Sequence, residues 1–214
     1  MSTDENYYIH HRKEMIPALP PKYNRVLEVG CGEGRFRANL DQTHEYWGLE
    51  PVPAAAEMAR KVLDNVLIGT YEQRVQELPD GYFDLIICND VIEHMTDHDH
   101  FFRSIQSKIS PGGVLVASIP NVRHILNLYE LLIKKDWEYK EAGILDKTHF
   151  RFFTERSLRK TLVKHNFQIE YFQGINQYEG DSLLKGLFGQ LVIGILGRDT
   201  RYLQFAIRVR MADN

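Results

Sequence analysis

Short apolar runs and helical stretches alternate along the chain from Arg25 to Ile119. Arg25 to Val29, Tyr46 to Glu50, Val66 to Gly69, Phe83 to Cys88 and Val114 to Ile119 are brief and rich in Val, Ile, Leu and aromatic residues, which predicts strands. The segments near Phe36 to Leu40, Pro53 to Val62 and Asp97 to Ile109 predict helices. Pro53 is placed to open the second, and Pro111-Gly112-Gly113 to break the third. This alternation builds an α/β fold, a parallel sheet covered on both faces.

After Ile119 the pattern changes. Residues 121–147 read as mostly helical and irregular, interrupting the alternation where a substrate cap is inserted. Thr154 to His165 predicts a helix with Thr154 as its N-cap, followed by a strand from Phe167 to Gln173. Tyr202 to Met211 sets Phe205, Ile207 and Val209 against Arg208 and Arg210, the alternation of an antiparallel strand with one wet face.

Size and charge narrow the class. The 214 residues are most economically one domain, with an N-terminal helical or lid segment (1–24), a cap insertion (121–153) and an insertion between the last two strands (174–201). A formal net charge of −3 argues against a nucleic-acid scaffold, which needs a basic face for phosphates. Cys31 and Cys88 fall at or beside predicted strands without CxxC spacing, and Met1 to Asn6 is polar and acidic. Both features point to the cytoplasm.

The chemistry concentrates first in Val26-Leu27-Glu28-Val29-Gly30-Cys31-Gly32-Glu33-Gly34. Three glycines at alternate positions give a turn nearly free of side chains, which lets backbone approach a ligand closely. A dinucleotide fingerprint needs its third glycine where Arg35 stands. An acidic residue at Glu28 also suits a cationic ligand better than a pyrophosphate. Glu50 ends the second predicted strand 22 positions beyond Glu28, close to the offset of about 20 residues at which a carboxylate accepts hydrogen bonds from ribose hydroxyls.

Glu28-x-Gly30-x-Gly32-x-Gly34 resembles motif I of the class I S-adenosylmethionine-dependent methyltransferases. The run Leu78-Pro79-Asp80-Gly81-Tyr82-Phe83-Asp84-Leu85-Ile86, followed by Glu93-His94, is similar to the LPxxxFDLI and EH motifs of the same family. The resemblance implies a Rossmann-like seven-stranded sheet of order 3-2-1-4-5-7-6, with the last strand antiparallel and a helical cap after strand 5. It implies S-adenosylmethionine as methyl donor and S-adenosylhomocysteine as product. Gly30, Cys31, Gly32, Gly34, Glu28, Glu50 and Pro51 are then expected at the cofactor, with Asn89, Asp90 and Val91 leaving the fourth strand at its ligand-binding end. Asn89-Asp90-Val91-Ile92 departs from the Asn/Asp-Pro-Pro-Tyr/Phe motif of many nucleobase amino-methyltransferases. Gly69-Thr70-Tyr71 lacks the acidic residue that many members place near adenine, which leaves adenine recognition open.

A second string, Asp146-Lys147-Thr148-His149-Phe150-Arg151-Phe152-Phe153-Thr154, resembles the D-x-T-H-x-R-F-F-T signature of a subgroup associated with sugars and cell-surface precursors. Its carboxylate, imidazole and guanidinium lie among aromatics, where pKa values can be tuned. His149 or His94 is expected as general base, and Arg151 as the group orienting an anionic or polyhydroxyl acceptor. The structural alternative is an Asp146–Arg151 pair anchoring the cap. Tyr7-Tyr8-x-x-x-Arg12-x-Glu14-Met15 also resembles the subgroup, placing Tyr8 and Arg12 near the cofactor.

Two further stretches call for weighing. His94, Asp97, His98, Asp99 and His100 are dense in metal-ligand types, but Asp97 or Thr96 serves as a helix N-cap and His98 and His100 read as solvated, so no metal is expected. Leu183 to Leu196 is too short to span a bilayer, which needs about 20 apolar residues, and reads either as a packed helix or as a peripheral membrane or dimer contact. The expected function is O-methylation of a small polar acceptor by a monomer or homodimer. The alternatives are C-methylation of a quinone or lipid precursor and a non-catalytic cofactor-binding module.

Overall fold

In the computed structural model, which describes residues 11–40, 45–179 and 183–212, all seven predicted strands form. They are β1 (Arg25–Val29), β2 (Glu45–Glu50), β3 (Asn65–Ile68), β4 (Phe83–Asn89), β5 (Ile109–Pro120), β6 (Phe167–Gln177) and β7 (Tyr202–Met211). The helices are α1 (Pro53–Ala59), α2 (Tyr71–Arg74), α3 (His98–Gln106), α4 (Ile125–Tyr129), α5 (Glu155–Lys164) and α6 (Leu183–Leu196). One sheet runs β3-β2-β1-β4-β5-β7-β6. The first five strands are parallel, and β7 is antiparallel to both neighbours.

The two faces are filled by alternating side chains. Leu27, Val29, Ile86, Cys88, Leu115 and Ala117 pack on one side against α3 and α5, while Val26, Leu85, Ile87, Val114 and Val116 pack on the other against Met15, Phe36 and Leu63. On α3, Phe101, Phe102 and Ile105 are fully buried, each contributing about 1.5–3 kcal/mol of apolar burial. Asp97 caps this helix by accepting the His100 N–H at 2.8 Å. Thr154 caps α5, its hydroxyl accepting the Ser157 N–H at 3.1 Å.

Three sequence expectations need correction. β5 starts at Ile109, so Pro111-Gly112-Gly113 lies inside the strand rather than ending a helix. Ile109 pairs with Phe83, and the register shifts before Val114 meets Leu85; Gly112, at φ +81, allows the kink. The segment after β5 is helical only at α4 and a following π turn, Glu130–Lys134, beyond which Lys135 turns left-handed. The helix expected near Phe36 is a 3-10 turn, Arg35–Asn39.

Candidate active site

The strand order reverses between β1 and β4, whose C-terminal ends frame the crevice where open α/β sheets bind ligands. The turn after β1 needs its glycines: Gly30, Gly32 and Gly34 have φ of 73, 54 and 78. A Cβ on Gly30 would sit 2.6 Å from the Val91 side chain, so the turn meets the loop after β4 only because that position is bare.

Glu50 ties this turn to the next one. One of its oxygens accepts the Gly32 N–H at 2.8 Å and the other the Val52 N–H at 2.9 Å, across Pro51. Burial raises its pKa, opposed by the two backbone donors. A carboxylate has about four lone-pair sites, so both oxygens keep acceptor capacity for further hydroxyls.

Glu28 lies beneath the turn, where it accepts the Tyr46 hydroxyl at 2.7 Å. Burial pushes its carboxyl up to about 8, against the Tyr46 hydrogen bond and with a contribution from Glu50. Cys31 is buried beside it, and burial raises its thiol too, which removes any nucleophilic role.

At the end of β4, both polar atoms of the Asn89 side chain are buried with no partner among the described residues. An amide unpartnered at a ligand crevice is a group that a bound ligand or water can satisfy. Together with the bare turn and two carboxylates, it fits a polar nucleoside with a charged tail. Asp90 follows in a left-handed conformation, φ 54. Its carboxylate accepts from Ser118 Oγ (2.8 Å), Gln204 Nε2 (2.7 Å) and the Arg12 guanidinium. Arg12 is itself left-handed, at φ 49, and also bonds Glu14 and Ser118. Arg12 thereby ties the chain before β1 to the ends of β4 and β5, while Tyr8 lies outside the described residues.

The second half of the site joins the 3-10 turn Ile92–His94 to the cap. The Glu93 carbonyl accepts the backbone N–H groups of Phe150 (2.9 Å) and Arg151 (3.1 Å). This docking sets His94 and His149 edge to face, with ring centroids 4.6 Å apart. The Thr148 hydroxyl lies 2.7 Å from Asp146 Oδ1 and 3.0 Å from His94 Nδ1. Donation to the carboxylate leaves the hydroxyl oxygen to accept His94 Nδ1–H, and the Thr148 carbonyl, 3.2 Å from the same nitrogen, is a second acceptor. His149 Nδ1 donates to the Ile144 carbonyl at 2.9 Å. Both imidazoles therefore keep the Nε2 lone pair free. Burial lowers the His94 pKa, and the neighbouring His149 adds to the effect.

Glu93 is 1% exposed, and both its carboxyl oxygens lack a partner among the described residues. Its nearer oxygen is 4.0 Å from His149 Nε2. Burial, reinforced by Asp90, holds this carboxyl well above the ordinary range.

Asp146 and Arg151 do not pair. Asp146 serves Thr148, and the Arg151 guanidinium reaches the Thr96 and Phe150 carbonyls and His98 Nδ1, bracing the loop between β4 and α3. His98 is consequently not on a solvated face: its ring packs edge-on against Phe102 and Phe153. Sequence reasoning named His94 but passed over Glu93 and Thr148, which the EH pair and the TH dipeptide signalled. Ser118 and Gln204 carry no local motif; strand register alone brings them to Asp90.

A bare turn after β1, an acidic residue at the end of β2 and a crevice at the β1–β4 reversal define an S-adenosylmethionine-dependent class I methyltransferase. Residues 2–171 match the family described as a methyltransferase domain, and the chain belongs to it. Among curated relatives, a ubiquinone biosynthesis O-methyltransferase of Rickettsia bellii is 25% identical over 174 residues, covering 75% of this chain and 70% of its own. Among solved structures, a SAM-dependent methyltransferase of Archaeoglobus fulgidus aligns with TM-score 0.62 at 21% identity, over 92% of this chain and 90% of its own. The Burkholderia thailandensis 1,6-didemethyltoxoflavin-N1-methyltransferase, crystallised with S-adenosylhomocysteine, aligns with TM-score 0.61 at 17% identity, over 99% and 80%. No helix among the described residues is long and apolar enough to cross a membrane.

Proposed function

We propose that this methyltransferase methylates an oxygen of a small polar acceptor, such as a sugar hydroxyl, seated over Glu93, His94 and His149. The observation that carries this reading is the pair of imidazoles with free Nε2 lone pairs beside an unpartnered carboxyl, at the mouth of the cofactor crevice. When bound, S-adenosylmethionine supplies a methyl carbon activated by its sulfonium. The protein aligns the acceptor and receives its proton. Glu50 accepts from the ribose hydroxyls, and the backbone of Gly30, Cys31, Gly32 and Gly34 admits the nucleoside. The Asn89 amide, Asp90, Val91, Arg12 and Glu28 surround the methionine end. His149 Nε2 takes the hydroxyl proton, with His94 packed against it.

The test is methyl transfer from isotopically labelled donor to a panel of hydroxyl, carboxylate, amine and activated-carbon acceptors, read by mass spectrometry. Methyl ethers or esters are expected; products methylated only on nitrogen or carbon overturn the reading. A second acceptor class, a phenol carrying an apolar tail, is favoured by Leu132 and Ile133 on the cap, 57% and 66% exposed. The relatives named for ubiquinone biosynthesis also act on oxygen by name. A prenylated catechol in the same panel, turned over faster than any sugar, selects that class.

Proton linkage gives a further expectation. Glu28, with its carboxyl near 8, is protonated in the free protein at neutral pH, while the cationic amino group of the ligand favours the carboxylate. Affinity for S-adenosylhomocysteine therefore strengthens as pH rises from 6 to 8.5, with release of a proton near neutrality. Calorimetry in two buffers of different ionisation enthalpy measures that proton. Affinity that is flat over this range, with no proton released, removes Glu28 from the ligand's surroundings. In the free protein the sign is reversed. The raised carboxyl favours folding most below its unfolded value of about 4.5, and that contribution is lost as pH climbs through 8.

A further inference from the structure

Glu93 poses a problem of electrostatics. A carboxyl at 1% exposure with neither oxygen hydrogen-bonded, among the described residues, forfeits its hydration without compensation. A bound ion or water is one of the few things that relieve such a group in a native interior. His149 Nε2 lies 4.0 Å from the nearer Glu93 oxygen, and one donor atom each from Glu93, His94 and His149 lie within 4.8 Å of one another.

We infer that Glu93, His94 and His149 form a binding site for a divalent transition-metal ion. Four features of the geometry support this. First, the Nδ1 atoms of both imidazoles are occupied, by Thr148 and by the Ile144 carbonyl, which directs the Nε2 lone pairs to outside partners. Second, those partners form the outer shell that holds metal-ligating histidines: a backbone carbonyl for one, and for the other a hydroxyl fixed by the Asp146 carboxylate. Third, two nitrogens and one carboxylate suit zinc, iron, cobalt or manganese better than calcium or magnesium, which take mainly oxygen. Fourth, Asp90 is committed to Arg12, Ser118 and Gln204, so three protein ligands leave positions open for a small molecule.

The spacing requires closure. Bonds of about 2.1 Å draw donor atoms to roughly 3.4 Å apart in a tetrahedral set, so the 4.0 Å between Glu93 and His149 Nε2 shortens by about half an ångström and a pair at the 4.8 Å limit by about 1.4 Å, within reach of side-chain rotation. With an ion bound, both imidazole lone pairs are spent on it. The ion then takes over from His149 the task of making the acceptor hydroxyl acidic, and the released proton leaves to solvent. That role, though not binding itself, rests on the oxygen-methylation reading.

The experiment titrates the purified full chain, stripped with a chelator, with cobalt(II), followed by visible absorption and by calorimetry. Saturable one-to-one binding with ligand-field bands is expected, displaced by zinc. Glu93→Gln and His149→Ala each weaken it at least tenfold. In the wild type, paramagnetic cobalt broadens the imidazole resonances of His94 and His149 before those of the other histidines, a readout independent of how the variants fold. Absence of saturable binding, broadening that begins at other histidines, or affinity unchanged in folded samples of both variants overturns the site. S-adenosylhomocysteine binding in the same samples separates the two readings. Its loss in the wild type defeats the cofactor site, whereas its retention without cobalt binding defeats the metal alone.

Discussion

Glu50→Gln weakens binding of S-adenosylhomocysteine at least a hundredfold, and Glu50→Ala by a similar or larger factor. The carboxylate bridges two turns, accepting from Gly32 and Val52, and it faces the crevice where ribose hydroxyls need an acceptor. A hydrogen bond to a charged group is worth about 1.5–3 kcal/mol, so losing two amounts to roughly 3–6 kcal/mol, of which each 1.4 kcal/mol is a tenfold change. Glutamine is nearly isosteric, yet its amide must set an NH2 group against one of the two backbone N–H donors. The conservative change therefore disturbs the turn as well as the ligand. Calorimetry on the wild type and both variants measures the effect, with circular dichroism confirming that the sheet persists. Affinities within threefold of the wild type show that Glu50 holds the turn without serving the ligand.

The donor half of the molecule was legible because local chemistry writes it. A glycine turn, a carboxylate two residues before it and another at the end of the next strand are each fixed by strand period and turn geometry, and the structure assembles them around the β1–β4 reversal. Pro111-Gly112-Gly113 misled because a helix break and a strand bulge use the same residues. Only the pairing of Ile109 with Phe83 distinguishes them. Arg151 is a different case. Its charge among aromatics suggested an anionic or polyhydroxyl ligand, and in the structure three of its five N–H donors go to two carbonyls and a ring nitrogen of the protein. Contacts between segments far apart in sequence, such as Asp90 with Gln204 or Glu93 with Phe150, leave no periodic trace. They follow from register and from where the cap docks.

That docking determines the second large effect: His149→Ala lowers kcat by about 10²–10⁴, the range for loss of a positioned acid–base group, while affinity for S-adenosylhomocysteine stays within twofold. The imidazole sits 4.0 Å from Glu93 and edge-on to His94, on the cap rather than on the glycine turn, so the loss falls on turnover and not on cofactor binding. Alanine also removes the donor to the Ile144 carbonyl, which loosens the cap for reasons unrelated to chemistry. His149→Gln controls for this, because its amide can restore that donor without an imidazole lone pair. The two variants should lose kcat equally. A glutamine variant with near wild-type turnover assigns His149 to architecture and moves the proton acceptor to His94. Thr148→Val gives the intermediate case. It removes the hydroxyl that links His94 Nδ1–H to Asp146, while the Thr148 carbonyl, 3.2 Å from the same nitrogen, remains to accept that proton and hold the tautomer. A kcat loss of no more than about tenfold is expected, the lower end for outer-shell changes around a histidine, because one of the two acceptors at Nδ1 persists. A loss equal to that of His149→Ala makes His94 the residue on which the acceptor's oxygen depends.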